Sequence, residues 1–306
     1  MSKSIAFLKF KVLLEREIRS FWHILASLEY AERWLQSHGA LRLASSPGDN
    51  RYPFRAINIT PDEFVSEQNA VRSHLLENTL VSFVTTFECF LAELLERVLY
   101  LNPSLLADSD VPFQARQLCL VVGTTDMRRW LAAQMTDKYL RNKTHKEMIS
   151  RLDTLCKAGV SGALSSEIDE WTKWSLVRNS IVHTSRQVTE ELSKAWPQRF
   201  PTARGGLDLT NEELARVHHL AIKIAQAIDV RAVQTRIGKH DELLLARELF
   251  VQNGMAEPSA LVAALSHVGR VQVSKKDVER MLAAHKKGNL SDSWQLSVRD
   301  LKDLVG

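Results

Sequence analysis

Glycine, proline and cysteine are all scarce in this chain of 306 residues, numbering 12, 8 and 3. So few turn formers leave long periodic segments unbroken, which argues against a strand-rich scaffold with a turn every ten residues or so. The three cysteines, Cys89, Cys119 and Cys156, contain no CxxC pair, so neither a disulfide framework nor a zinc site is expected. All three sit in apolar sequence and read as buried free thiols of a reducing cytoplasm. Charge of one sign is also lacking: 40 basic against 36 acidic residues leave +4, without the strong basic bias of a non-specific nucleic-acid binder. A substrate held by a few contacts remains compatible with that balance. No apolar run approaches the roughly 20 residues of a membrane helix, and MSKSIAFLKFKVLLEREI has no long uncharged signal core. A cytoplasmic chain, off the membrane, is expected. GxxxxGK, GxGxxG, HExxH and GxSxG are all missing, so no cofactor and no metal are expected.

What is present is helical periodicity. Apolar residues recur on one face from Ser4 to Gln36, namely Phe7, Phe10, Leu14, Ile18, Phe21, Leu25, Leu28 and Leu35. After a loop carrying Gly39, Pro47, Gly48 and Pro53, Thr60, Pro61 and Glu63 form a capping box. The helix they open runs, with room for a break, to Leu101, where Asn102-Pro103 stops it. Its second half has two apolar stripes, one through Phe83, Phe87 and Phe90 and one through Val84, Leu91 and Leu95, as in the central helix of a bundle. Glu88 lies in the second stripe, where a carboxylate is costly unless paired. Further helices are expected near 113–122, 126–158 and 166–184, then a loop over QVTEELSKAWPQRFPTARGGLDLT. Thr210 with Glu213 caps a helix to about Arg236. Shorter helices follow near 241–253, 258–267, 275–287 and 298–304, with capping patterns at Ser274–Asp277 and Ser297–Asp300. The expectation is an all-α protein divided into 1–58, 59–240 and 241–306.

One stretch resists a purely structural reading. In SLVRNSIVHTS, Arg178 falls inside the arc of about 140° formed by Trp171, Trp174, Val177, Ile181 and Val182. An unpaired buried charge costs several kcal/mol, so Arg178 either pairs with a carboxylate such as Glu88 or faces a solvated cleft. It also has the option of burying its stem and freeing its head. His183 projects about 140° from Arg178 on an ideal helix. A kink, a helix end or a second subunit is needed to bring them together. Twenty-four arginines and 10 histidines would produce this spacing about once by chance, and it occurs three times. Only at Arg178 does a polar residue, Asn179, follow, and only there is the arc rich in aromatics.

Arg178-Asn179-x-x-x-His183 resembles the RNxxxH signature of the HEPN family of small helical bundles. Phe87-Glu88, in the long apolar helix, is similar to that fold's early helix. The resemblance spans roughly residues 65–235 and misses the first helix and the residues after 240. Arg141-Asn142 with His145 is one residue too short. The resemblance implies a metal-independent endoribonuclease in which two subunits join their motifs in one cleft. His183 would act as general base or acid and Arg178 would stabilise the phosphorane. Asn179 would orient either group, and Glu88 would orient Arg178 or His183. The implied product is a 2′,3′-cyclic phosphate. The implied partners are RNA, tRNA included, a second copy of the chain, and an antitoxin or defence-system protein. Members silenced by adenylylation carry a tyrosine where this chain has Ser185. The alternative is a non-catalytic module binding RNA or a protein. Arg128, Arg129, Lys138, Arg141, Lys143 and Lys146, with His145 among them, form either an RNA-gripping patch or a solvated helix face. Arg186, Arg199 and Arg204 are further candidates for the motif's cleft, and Trp171 and Trp174 are expected in the core.

Overall fold

A computed structural model describes residues 3–37, 61–107, 127–268 and 273–286. The described chain is all-α. Its helices are α1 (Ile5–Ser37), α2 (Pro61–Leu101), α3 (Ser104–Ala107), α4 (Met127–Leu140), α5 (His145–Cys156) and α6 (Val160–Ala163). Then come α7 (Ser165–His183), α8 (Glu190–Ala195), α9 (Asn211–Ala232) with a π-helical turn at Val233–Ile237, α10 (His240–Asn253), α11 (Pro258–Val268) and α12 (Lys275–Lys286). Among the described residues, strand-like pairing is limited to an antiparallel bridge between Gln187 and Gly206. The Thr60 cap, the helices expected near 113–122 and 298–304, Cys119 and the Ser297–Asp300 pair lie outside the described residues.

Described residues within Met1–Leu13, Thr85–Ser175 and His219–Gly306 form one compact unit. Those within Leu14–Val84 and Leu176–His218 form a second. In the first, the N-terminus of α1 is held by carboxylates. The Ser4 amide donates to both oxygens of Asp229, at 3.3 and 3.2 Å, and the Ile5 amide donates to Asp241 at 2.6 Å. These carboxyl oxygens satisfy amides that lack intrahelical partners. The other oxygen of Asp241 accepts from fully buried Arg97, which also binds Glu93 at 2.9 Å. Around this polar knot Phe10 packs edge-on against Phe87, and Phe87 lies 4.5 Å from Trp171. Helices α10, α11 and α12 pack on one another in the same unit. In the second unit Phe83 meets His218, and Arg72 binds Glu32 at 2.7 Å.

α2 is continuous from Pro61 to Leu101. The expectation that no stretch reaches membrane-spanning length is corrected here. By length and composition alone α2 is apolar enough to cross a membrane, with an 18-residue window of mean hydropathy 1.3. An uninterrupted apolar run is a stricter requirement than a mean, which tolerates charges. Half of that window is buried inside the protein, and Glu77 and Arg97 are buried along the same helix, as in a core helix.

Three other expectations change. The helix expected over 126–158 is two helices separated by a turn. Thr144 and Glu147 form a full capping box that starts α5, and Asn142, at φ 56°, tolerates the left-handed geometry of the turn. The loop after the motif contains α8, capped by Thr189 and anchored by buried Leu192. Cys89 is exposed rather than buried, because it follows Glu88 outside both apolar stripes of α2; Cys156 is buried as expected.

Candidate functional site

The motif occupies the last turns of α7. Upstream, Trp171, Trp174 and Val177 are buried, which anchors the helix by its apolar arc. Toward the C-terminus the arc reaches solvent: Ile181 is half-buried and Val182 is 49% exposed. Arg178 is half-buried, and its Nη1 donates to Oδ1 of exposed Asn179 at 3.1 Å. His183 is the last residue of the helix and is exposed. Among the described residues its ring makes no hydrogen bond or ion pair. Arg178 and Asn179 are therefore in contact, and His183 stands free at the end of the same helix.

The chain turns sharply after His183. Ser185 and Arg186 both adopt left-handed conformations, at φ 52° and 68°. Each costs a non-glycine residue about 1–2 kcal/mol, and two in succession need a holdfast. The Arg186 side chain supplies one. Its Nε lies 2.6 Å from Oε2 of buried Glu77, and its Nη1 and Nη2 contact the ring nitrogens of His74. Burial holds the Glu77 carboxyl above its ordinary range, and Arg186 and then His74 offset that rise only in part. The backbone joins in: Leu207 N–H donates to Arg186 O at 3.3 Å and Arg204 N–H to Val188 O at 2.8 Å.

Glu88 belongs to the other unit, where its Oε1 lies 2.7 Å from Nε2 of His145. His145 is buried, so it is not part of a basic surface. The expected patch also divides. Lys138, Lys143 and Lys146 line one cavity, Arg128 lines another beside Tyr100, and Arg129 acts on Glu96 and Glu248. Arg199 is clamped to Glu213 at 2.6 Å and Arg204 is exposed.

Comparison of the chain with protein-family models, curated protein sequences and solved structures returns no match. What the site can do must therefore be read from its groups. A contacting arginine–asparagine pair and an exposed imidazole at the end of one helix suit a phosphodiester: a cation for its charge and an imidazole for a proton. Among the described residues, no group of three or more His, Cys, Asp or Glu is placed to hold a metal ion. Sequence reasoning passed over His74 and Glu77. Their signal was available: Glu77 adjoins Leu76 and stands three residues before Leu80, in register with a buried face. The same logic singled out Glu88.

Proposed function

We propose that this protein is a metal-independent endoribonuclease of HEPN type, acting in the cytoplasm as a toxin or defence effector. The supporting observation is the exposed His183 at the end of α7, on the helix that carries the contacting Arg178–Asn179 pair. His183 takes the proton of a ribose 2′-OH. The 2′-oxygen then attacks phosphorus, the 5′-oxygen leaves, and a 2′,3′-cyclic phosphate forms. The leaving oxygen takes up a proton from the imidazolium so formed or from water. Arg178 neutralises charge on the phosphorane, Asn179 holds the guanidinium by its amide oxygen, and Arg186 keeps the turn after His183 in place through Glu77 and His74. The working unit is a homodimer with RNA, tRNA included, as substrate and an antitoxin or defence-system protein as regulator. Glu88 serves by supporting the bundle through His145.

The test is incubation with total RNA and with tRNA in EDTA, wild type beside His183→Ala. Cleavage by the wild type alone, leaving cyclic-phosphate ends, supports the reading. Absence of cleavage by both, or equal cleavage by both, refutes it.

A second reading, a non-catalytic binding module, is favoured by one feature. α1 exposes Trp22 by 43% and Tyr30 by 74%, with Ile24 and Trp34 also exposed. Such residues are common at interaction surfaces. That reading expects His183→Ala to be silent in RNA and toxicity assays, and Trp22→Ala with Tyr30→Ala to be disruptive.

A further inference from the structure

A cavity of about 740 Å³ lies in the first unit, between α4, α5 and the start of α7. Four cationic side chains line it: Lys138, Lys143, Lys146 and Arg151. Two carboxylates, Glu147 and Asp169, oppose them, leaving an excess of two positive charges.

Neither carboxylate holds its lysine firmly. Lys143–Glu147 spans 3.6 Å and Lys146–Asp169 2.8 Å, and all four side chains are about half exposed. Exposed pairs of this kind are worth little and are easily exchanged for a better anion. Glu147 is moreover engaged by the Thr144 amide and hydroxyl, which hold its carboxyl below the ordinary range and tie it to the helix cap.

Arg151 is the distinctive member. Its guanidinium lies over the Tyr139 ring, 3.9 Å from the centroid. Its Nε is buried and has no hydrogen-bond partner, and it makes no ion pair among the described residues. A stacked guanidinium is held flat and keeps its in-plane donors for a ligand. Ser150, Thr154 and Ser165 add hydroxyls to the wall.

We propose that this pocket binds a ligand bearing several phosphoryl groups. A rigid fork, three lysine ammonium groups and neighbouring hydroxyls match a polyanion with many oxygens. The volume is far more than one phosphate fills and leaves room for an organic portion. Two sources supply that chemistry: a small phosphorylated molecule or the backbone of an RNA strand. The site stands whether or not α7 carries a nuclease.

The experiment is calorimetric titration of the full chain with sodium tripolyphosphate and, separately, with a short single-stranded RNA. The proteins compared are wild type, Arg151→Gln, Lys143→Gln with Lys146→Gln, and the remote surface variant Lys194→Gln; each RNA titration also carries His183→Ala to keep the strand intact. Tripolyphosphate should bind wild type, weaken roughly tenfold or more in both pocket variants, and be unchanged in Lys194→Gln. The double lysine variant changes only exposed side chains, so it remains informative if Arg151→Gln fails to fold. RNA binding that weakens in the same variants assigns the ligand to an RNA backbone. RNA binding that ignores them assigns it to a small phosphorylated molecule. Wild type that does not bind tripolyphosphate, or pocket variants that bind it as wild type does, overturns the proposal.

Discussion

The indole Nε1–H of Trp171 donates to Nδ1 of His145 over 2.7 Å. An indole nitrogen can only donate, so Nδ1 must accept, and the ring proton stands on Nε2, where it faces Glu88 Oε1. The tautomer of a buried histidine is thereby assigned by its neighbours. The ring is also stacked against Phe87 and Trp171. The near-miss histidine of the sequence is thus a core element that gives Glu88 its partner.

Trp171→Phe keeps most of the packing and leaves the Nδ1 lone pair buried without a donor. Such a loss costs about 1–3 kcal/mol. Urea unfolding should show that decrease, with little change in slope. Unchanged stability would refute the assigned tautomer.

Glu77 and Arg186 hold the strained turn after the motif. Glu77→Ala removes the buried carboxylate and strands the guanidinium. Hydrogen exchange of the amides of Arg186 and Val188 should accelerate, and stability should fall by about 1–3 kcal/mol. Exchange identical to wild type would mean that the backbone hydrogen bonds alone maintain the turn.

Asp229 makes stability depend on pH. Burial raises its carboxyl to about 7, against the lowering effect of Ser4, with Asp241 raising and Lys3 lowering it further. A raised acid binds its proton more tightly in the folded state, so stability is fully present below about pH 4, the unfolded value, and is lost as pH rises through about 7. Relative to Asp229→Asn, the wild type should lose stability on the order of 2–4 kcal/mol across that window. Parallel pH curves for the two proteins would contradict the shift.

The two described cysteines should react in order. Cys156 is buried with its thiol pushed up to about 12, first by burial. Cys89 is exposed, yet its thiol is raised by partial desolvation and by Glu88 and Glu93. Iodoacetamide at pH 8 should label Cys89 slowly and Cys156 only after unfolding, as read by peptide mapping. Labelling of Cys156 in the native protein would show that the core opens there.

Local patterns by themselves determined much of this protein. Periodicity placed α1, α2, α7 and α9 nearly to the residue, because a helix needs only its own spacing and its caps. Asn102-Pro103 ended α2, and Thr210 with Glu213 opened α9 through reciprocal hydrogen bonds. The Thr144–Glu147 box that starts α5 is present in the sequence as well, but the helical apolar pattern runs across it from both sides and conceals the break. Arg178, Asn179 and His183 were legible as a motif, and the aromatic residues of their arc were legible as core.

Only the tertiary structure decided which partner each charged residue takes. Glu88 meets His145, 57 positions away, Arg186 meets Glu77, and Asp229 and Asp241 meet the start of α1. The physical reason is that a side chain's spacing along a helix states which face it lies on, while its hydrogen bonds depend on what is packed against that face. The same limit hid the cavity around Arg151. Its lysines were readable as charges, but the fold decided that they converge.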